Sequence, residues 1–93
     1  MLLGTCTLNL YFPDSQSLKD KRNIVKSIKL RIRNHFNVSV SEINNHELWK
    51  NTTLGIVCIG NEKRYLNDVL NEVIKFIEYQ SRLQLISFKI TIL

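Results

Sequence analysis

Apolar and polar residues alternate from residue 2 to residue 12, so that every second side chain falls on the same side of an extended chain. This period of two predicts a β-strand that is buried on one face. Pro13 ends the strand, because proline has no backbone N–H to donate to a sheet. Ser17 then precedes Asp20 by three residues, the spacing at which two side chains cap the first N–H groups of a helix. We therefore predict a helix that begins near Ser17.

The first predicted helix extends to about Asn34, because apolar residues recur at steps of three and four. Its inward stripe consists of Ile24, Val25, Ile28, Ile32 and Phe36. Residues 37–44 place single apolar residues among serines, a pattern typical of a short strand at the edge of a sheet. Residues 45–51 are predicted to form a loop. Residues 52–59 are apolar at nearly every position, which predicts a central strand.

The remainder of the chain predicts a second helix and a final strand. Asn61 is suited to cap the helix, whose broad apolar face continues to about Ser81. Residues 83–93 alternate again and predict the last strand. The order strand, helix, strand, strand, helix, strand, with no long linker or repeat, indicates a single domain over residues 1–93. It predicts an α+β ferredoxin-like plait, a four-stranded antiparallel sheet with both helices on one face.

This arrangement leaves the second face of the sheet without a covering layer. If the alternate residues 54, 56 and 58 point towards the helices, then Leu3, Val57 and Ile59 lie exposed on the open face. Exposed apolar groups of this kind mark interaction surfaces. One possible function is therefore a homodimeric protein-interaction module that uses the open face and has no role in nucleic-acid binding.

Length and composition exclude several other classes of protein. The 93 residues are 44% hydrophobic and 23% charged, unlike a disordered chain. The longest run without a charged or strongly polar residue, residues 54–60, is too short to cross a bilayer, and residues 1–10 lack the features of a signal peptide. We therefore expect a cytoplasmic protein with no membrane contact, in which Cys6 and Cys58 are buried, reduced thiols.

The positive charge is confined to one part of the chain. Residues 1–33 contain seven basic and two acidic residues, a net charge of +5, whereas residues 34–93 contain six of each sign. At about 100° per residue, five cations fall within a stripe of roughly 80° on the first helix, beside its apolar face. They are Lys19, Arg22, Lys26, Lys29 and Arg33.

This stripe matches several phosphates of a nucleic-acid backbone, because it is on the order of 20 Å long. We therefore predict that the first helix contacts RNA or a ribosomal particle. The alternative is a solvated helix face whose aliphatic stems cover the edge of the core. Base stacking on the sheet is disfavoured, since the third strand offers Gly55, Val57 and Ile59 where stacking would need aromatic residues.

No group of residues in the sequence supports catalysis or cofactor binding. His46-Glu47 resembles the start of a zinc-protease helix, but the position of the second histidine is occupied by Lys50. No set of nucleophile, base and orienting group can be assembled, and no glycine-rich phosphate loop is present. We expect a non-enzymatic protein with no catalytic residues, cofactor or metal. Lys21 lies nearer the apolar stripe than the basic one, so it either pairs with an acid such as Glu42 or lies at an interface.

Several short motifs together resemble the YlxP-like family of small bacterial proteins. They are Ser17-Leu18-Lys19-Asp20-Lys21-Arg22, Phe36-Asn37-Val38-Ser39-Val40, Glu42, Leu48-Trp49 and Leu54-Gly55. The resemblance covers essentially the full chain, and it implies a ferredoxin-like fold with no established activity and no catalytic residues. Genes of this family tend to lie beside those for a translation initiation factor and a ribosome-binding factor, which implies a role around ribosome assembly or translation.

Overall fold

The computed structural model describes all 93 residues, and its six elements follow the predicted order. These elements are β1 (Leu2–Tyr11), α1 (Leu18–His35), β2 (Ser39–Asn44), β3 (Asn51–Gly60), α2 (Lys63–Glu78) and β4 (Gln84–Ile92). The strands form one sheet in the order β2-β3-β1-β4, and every neighbouring pair is antiparallel. Both helices pack on the same face, which confirms the predicted ferredoxin-like plait.

The core lies between the helices and one face of the sheet. Cys6 pairs with Ile56 and Leu8 pairs with Leu54, so the buried residues of β1 and β3 share the helix-facing side. The predicted inward stripe of α1 is buried from Ile24 to Ile32, and α2 contributes five further buried residues: Leu66, Leu70, Val73, Ile74 and Ile77. Each fully buried aliphatic side chain contributes about 1.5–3 kcal/mol, so this shared layer is the main source of stability.

The predicted cap of α1 is present. The Ser17 hydroxyl accepts a hydrogen bond from the Asp20 backbone N–H at 3.1 Å. The Asp20 carboxylate in turn accepts one from the Gln16 N–H at 3.0 Å, one residue earlier than in the usual capping box. The start of α2 differs from the prediction, because Glu62, and not Asn61, occupies the capping position and makes no side-chain cap.

Both cysteines are free and buried on the helix-facing side, as predicted. Burial raises the pKa of the Cys6 thiol to about 11, with a further contribution from the neighbouring Cys58. Burial also raises the pKa of Cys58. Because the thiolate is the nucleophilic form, both residues are inert components of the core. Neither helix is long and apolar enough to cross a bilayer.

Alternation along β2 determines which side chains of this edge strand face the helices. Val40 pairs with Ile56 and Glu42 pairs with Leu54, but the register then shifts at Ile43. A Cβ atom added to Gly55 would lie 3.0 Å from the Ile43 side chain, so Ile43 covers the opposite, open face. The strand therefore directs a carboxylate, Glu42, towards α1.

Candidate nucleic-acid interface

Lys21 and Glu42 form a buried ion pair that joins α1 to β2. The Lys21 Nζ lies 2.8 Å from Glu42 Oε2, and the lysine side chain is only 1% exposed. The ammonium also donates to the backbone carbonyls of Asn45 at 2.6 Å and His46 at 3.3 Å. Its three N–H groups thus meet three acceptors. Of the two roles that the sequence left open for Lys21, the structure assigns the internal ion pair.

The loop that supplies these carbonyls is held by a row of side-chain hydrogen bonds across the open face. Asn45 has a positive φ of 64°, a conformation that asparagine tolerates better than most residues. Its side-chain amide donates to the Thr53 hydroxyl at 3.0 Å, and Thr53 donates to Asn9 at 2.8 Å. Asn9 donates to Ser87 in β4 at 2.9 Å. The loop is therefore tied to the whole width of the sheet.

The surroundings of Glu42 keep its carboxylate ionised. Burial acts to raise its pKa, but hydrogen bonds from Lys21 and Thr52, together with the positive charges of Lys21 and His46, outweigh burial and lower the pKa below the usual 4.5. The unfolded chain consequently takes up a proton at this carboxyl before the folded chain does. The stability that the ion pair contributes is therefore fully present above pH 4.5. It is lost as the pH falls through the lowered pKa of Glu42.

We expect the free energy of unfolding to fall as the pH is lowered from neutrality through 4.5, and to fall less steeply in a Glu42→Gln variant. The measurement is urea unfolding at a series of pH values. Glu47→Gln is the matched control, since Glu47 is exposed on the following loop. A Glu42→Gln profile parallel to that of the Glu47→Gln variant would contradict the assignment.

Four of the five predicted cations line one open groove between α1 and β2, which we call the basic groove. They are Arg22, Lys26, Lys29 and Arg33. The groove has a volume of about 480 Å³ and includes Val25, Leu30 and the Glu42 carboxylate in its lining. Lys19, the fifth predicted cation, is exposed near the start of α1 but does not line the groove. The stripe predicted from helical spacing is therefore largely one continuous surface.

The cations of the basic groove have no carboxylate partner within 4.0 Å. The structure contains two ion pairs, Lys21–Glu42 and the exposed Lys75–Glu72. Glu42 is the one acidic residue in the groove, and its carboxylate is already engaged by Lys21. Arg33 donates one hydrogen bond to the Val40 carbonyl at 3.1 Å, which fixes its guanidinium against β2 and leaves other N–H groups free.

The groove lacks an aromatic surface on which bases could stack. No aromatic side chain is among the residues that line it. Positively charged side chains without base-reading partners contact phosphates and set position more than sequence. The chemistry available at this surface is thus the binding of an extended polyanion.

The open face of the sheet carries the second predicted surface. Leu3 pairs with Ile59 across β1 and β3, and Val57 lies opposite Thr5 two residues further along. Val57 is 37% exposed and Ile59 60% exposed, as predicted. Leu3 also lies on the open face, where it is partly exposed. Its N–H donates to the Leu93 carbonyl and its carbonyl accepts from the Leu93 N–H, so extended backbone flanks Leu3 on both sides.

Sequence analysis missed one member of this apolar patch. Ile43 is 54% exposed and lies over Gly55 on the open face. Val40 and Glu42 face the helices, so simple alternation along β2 places Ile43 on the open face, and this pattern was available in the sequence. The apolar patch of the open face therefore comprises Leu3, Ile43, Val57 and Ile59.

Comparison with known proteins gives two matches. Residues 3–90 match the family described as "Protein of unknown function (DUF503)". The chain is 34% identical over 77 residues to a Bacillus subtilis (strain 168) protein called "Uncharacterized protein YlxP", an alignment that covers 83% of this chain and 84% of that relative. These matches confirm the resemblance drawn from the short motifs.

Proposed function

We propose that this chain, which belongs to the DUF503 family of YlxP-like proteins, is a non-enzymatic RNA-binding protein that contacts RNA or a ribosomal particle through the basic groove. The single observation that carries the proposal is the row of four cations that share one groove without a free carboxylate beside them. From Arg22 to Arg33 the row extends for about 16 Å along α1, at 1.5 Å per residue, which is long enough to meet several phosphates.

The walls of the groove favour structured RNA as the ligand. The Lys21–Glu42 ion pair joins α1 to β2, and Arg33 donates a hydrogen bond to the Val40 carbonyl. A groove that is fixed before binding loses little conformational entropy when it receives a ligand of fixed shape. A folded RNA backbone has such a shape. The gene neighbourhood implied by the family resemblance also supports RNA or a ribosomal particle as the partner. A partner of this kind implies a cytoplasmic location.

The proposal is tested by measuring the affinity of the purified protein for a structured RNA over a series of salt concentrations. With four phosphate contacts, we expect the logarithm of the association constant to fall with the logarithm of salt with a slope of about −3. Recovery of the tagged protein from lysate, with and without nuclease, tests whether RNA or ribosomal particles accompany it. Absence of binding, or binding that salt does not weaken, would contradict the proposal.

A second candidate function is self-association through the open face of the sheet. The observation that favours self-association is the near absence of charge on this face. Apart from Lys89, the residues of the four strands that face this side are uncharged. Two copies would therefore meet with little like-charge repulsion, and the apolar patch would lie at their centre.

For this candidate we expect Val57→Asp to shift the protein from dimer to monomer, because the substitution places a charge in the middle of the apolar patch. The measurement is analytical ultracentrifugation over a concentration series. Asn71→Asp introduces the same acidic side chain on an exposed position of α2 and serves as the control. A wild-type protein that stays monomeric at all concentrations would exclude the dimer.

A further inference from the structure

A second concave region lies on the other flank of α1, between that helix and the turn that leads into β4. It has a volume of about 180 Å³, and Arg31 and Arg82 both line it. Arg31 stands two residues from Arg33, or about 200° around the helix, so the two grooves open on different sides of α1. They share no lining residue. We refer to this region as the arginine pocket.

We propose that the arginine pocket binds a small phosphate monoester. This inference goes beyond the proposed function and does not depend on it, since a short, partly enclosed pocket cannot follow a polynucleotide backbone. Its volume is below the ~300 Å³ at which pockets for drug-sized ligands begin, so the ligand has few non-hydrogen atoms.

Arg31 is hydrogen-bonded to the C-terminal end of α2 through Gln80. Its Nη1 donates to the side-chain oxygen of Gln80 at 2.7 Å. The Gln80 amide donates to the Phe76 carbonyl at 3.0 Å, and the Gln80 backbone N–H donates to the Ile77 carbonyl at 3.0 Å. The guanidinium is therefore held in place before any ligand arrives. The same bonds engage carbonyls at the C-terminal end of α2 that would otherwise repel an anion.

The two arginines of the pocket carry positive charge that no acidic side chain neutralises. Neither Arg31 nor Arg82 has a carboxylate within 4.0 Å. Each guanidinium presents N–H groups in a planar fork that suits the oxygens of phosphate. The hydroxyls of Ser27 and Ser81 and the amide of Asn23 line the same pocket. A phosphate monoester carries three terminal oxygens and close to two negative charges, so it can engage both guanidiniums, whereas a carboxylate carries one charge.

One side of the pocket is apolar. Ile24, Ile28 and Leu83 also line it, and each is less than one-tenth exposed. A free phosphate ion would leave this surface without a partner. A phosphate joined to a three-carbon polyol such as glycerol would use both parts, because its carbons would lie against the isoleucine and leucine side chains and its hydroxyls would reach the polar residues of the pocket.

The test is an NMR titration of the full chain with glycerol 3-phosphate, with inorganic phosphate and glycerol as comparison ligands. We expect saturable shift changes at Ser27, Ser81 and the Arg31 side chain with glycerol 3-phosphate, weaker binding of inorganic phosphate, and no shifts with glycerol. Arg82→Gln should weaken the binding of glycerol 3-phosphate about tenfold, as expected for loss of one charged hydrogen bond. Arg64→Gln removes an exposed arginine from the first turn of α2 and should leave the affinity for glycerol 3-phosphate unchanged.

Three results would overturn the proposal. Shifts that are not saturable, or that are as large at Arg22 and Lys26 as in the pocket, would mean general attraction of anions to a basic protein. Equal losses in Arg82→Gln and Arg64→Gln would have the same meaning. Equal affinities for inorganic phosphate and glycerol 3-phosphate would exclude a role for the organic portion. Arg22→Gln separates the two sites, since it should weaken RNA binding and leave glycerol 3-phosphate binding intact.

Discussion

Replacing Lys21 with methionine is expected to lower the free energy of unfolding by about 3–5 kcal/mol, because it leaves a mostly buried carboxylate without its cation. Glu42 keeps the hydrogen bond from Thr52, but its charge is then uncompensated. The carbonyls of Asn45 and His46 lose the ammonium donor as well. Methionine is close in length and apolar, so the loss reports the polar contacts more than a cavity.

The measurement is equilibrium unfolding in urea, with Lys26→Met as the matched control. Lys26 lies on the same helix but is exposed, so its replacement should change stability by no more than about 0.5 kcal/mol. In the double variant Lys21→Met/Glu42→Gln the buried charge is absent, and we expect it to be less destabilised than the two single changes predict when added. Equal stabilities of Lys21→Met and Lys26→Met would refute the structural role of the pair.

Reversing three charges of the basic groove is expected to have the largest effect on function. In Arg22→Glu/Lys26→Glu/Lys29→Glu, three phosphate contacts become repulsive, so affinity for structured RNA should fall by at least about 100-fold at low salt. The slope of the logarithmic salt plot should also become shallower by roughly two to three, since each lost contact removes about 0.7–0.9.

The control for this variant changes the net charge equally at another place. Lys63→Glu/Arg64→Glu/Lys75→Glu reverses three exposed cations of α2, so a loss of general electrostatic attraction would affect both variants alike. Circular dichroism spectra of both variants are compared with that of the wild type to check that the fold is retained. If the α2 variant loses as much affinity as the groove variant, the basic groove is not the RNA interface.

Local patterns in the sequence were sufficient to predict most of the fold. The alternation of residues 2–12, the serine-to-acid spacing at Ser17 and the apolar stripe of α1 each depend on neighbours within a few positions. The side of α1 on which the cations lie follows from the same periodicity. For this reason four of the five predicted cations meet in one groove.

The features that the sequence did not predict depend on contacts between distant residues. The pairing of Leu3 with Leu93 joins the two ends of the chain, and nothing near Leu3 indicates it. The bulge at Ile43 arises from the register of β2 against β3. The partner of Lys21 was equally ambiguous, because a lysine near an apolar stripe can point inwards only if the tertiary fold supplies a carboxylate there.

The two buried cysteines have a practical consequence. Thiol-directed reagents attack the thiolate, and the raised pKa values of Cys6 and Cys58 leave almost none of that form at neutral pH. A single cysteine introduced at an exposed position would thus be the one reactive thiol of the folded chain. Fluorophores and photocrosslinkers can therefore be attached at single positions of α1 without first replacing Cys6 and Cys58. Such labelled variants would map the contacts between α1 and its binding partner.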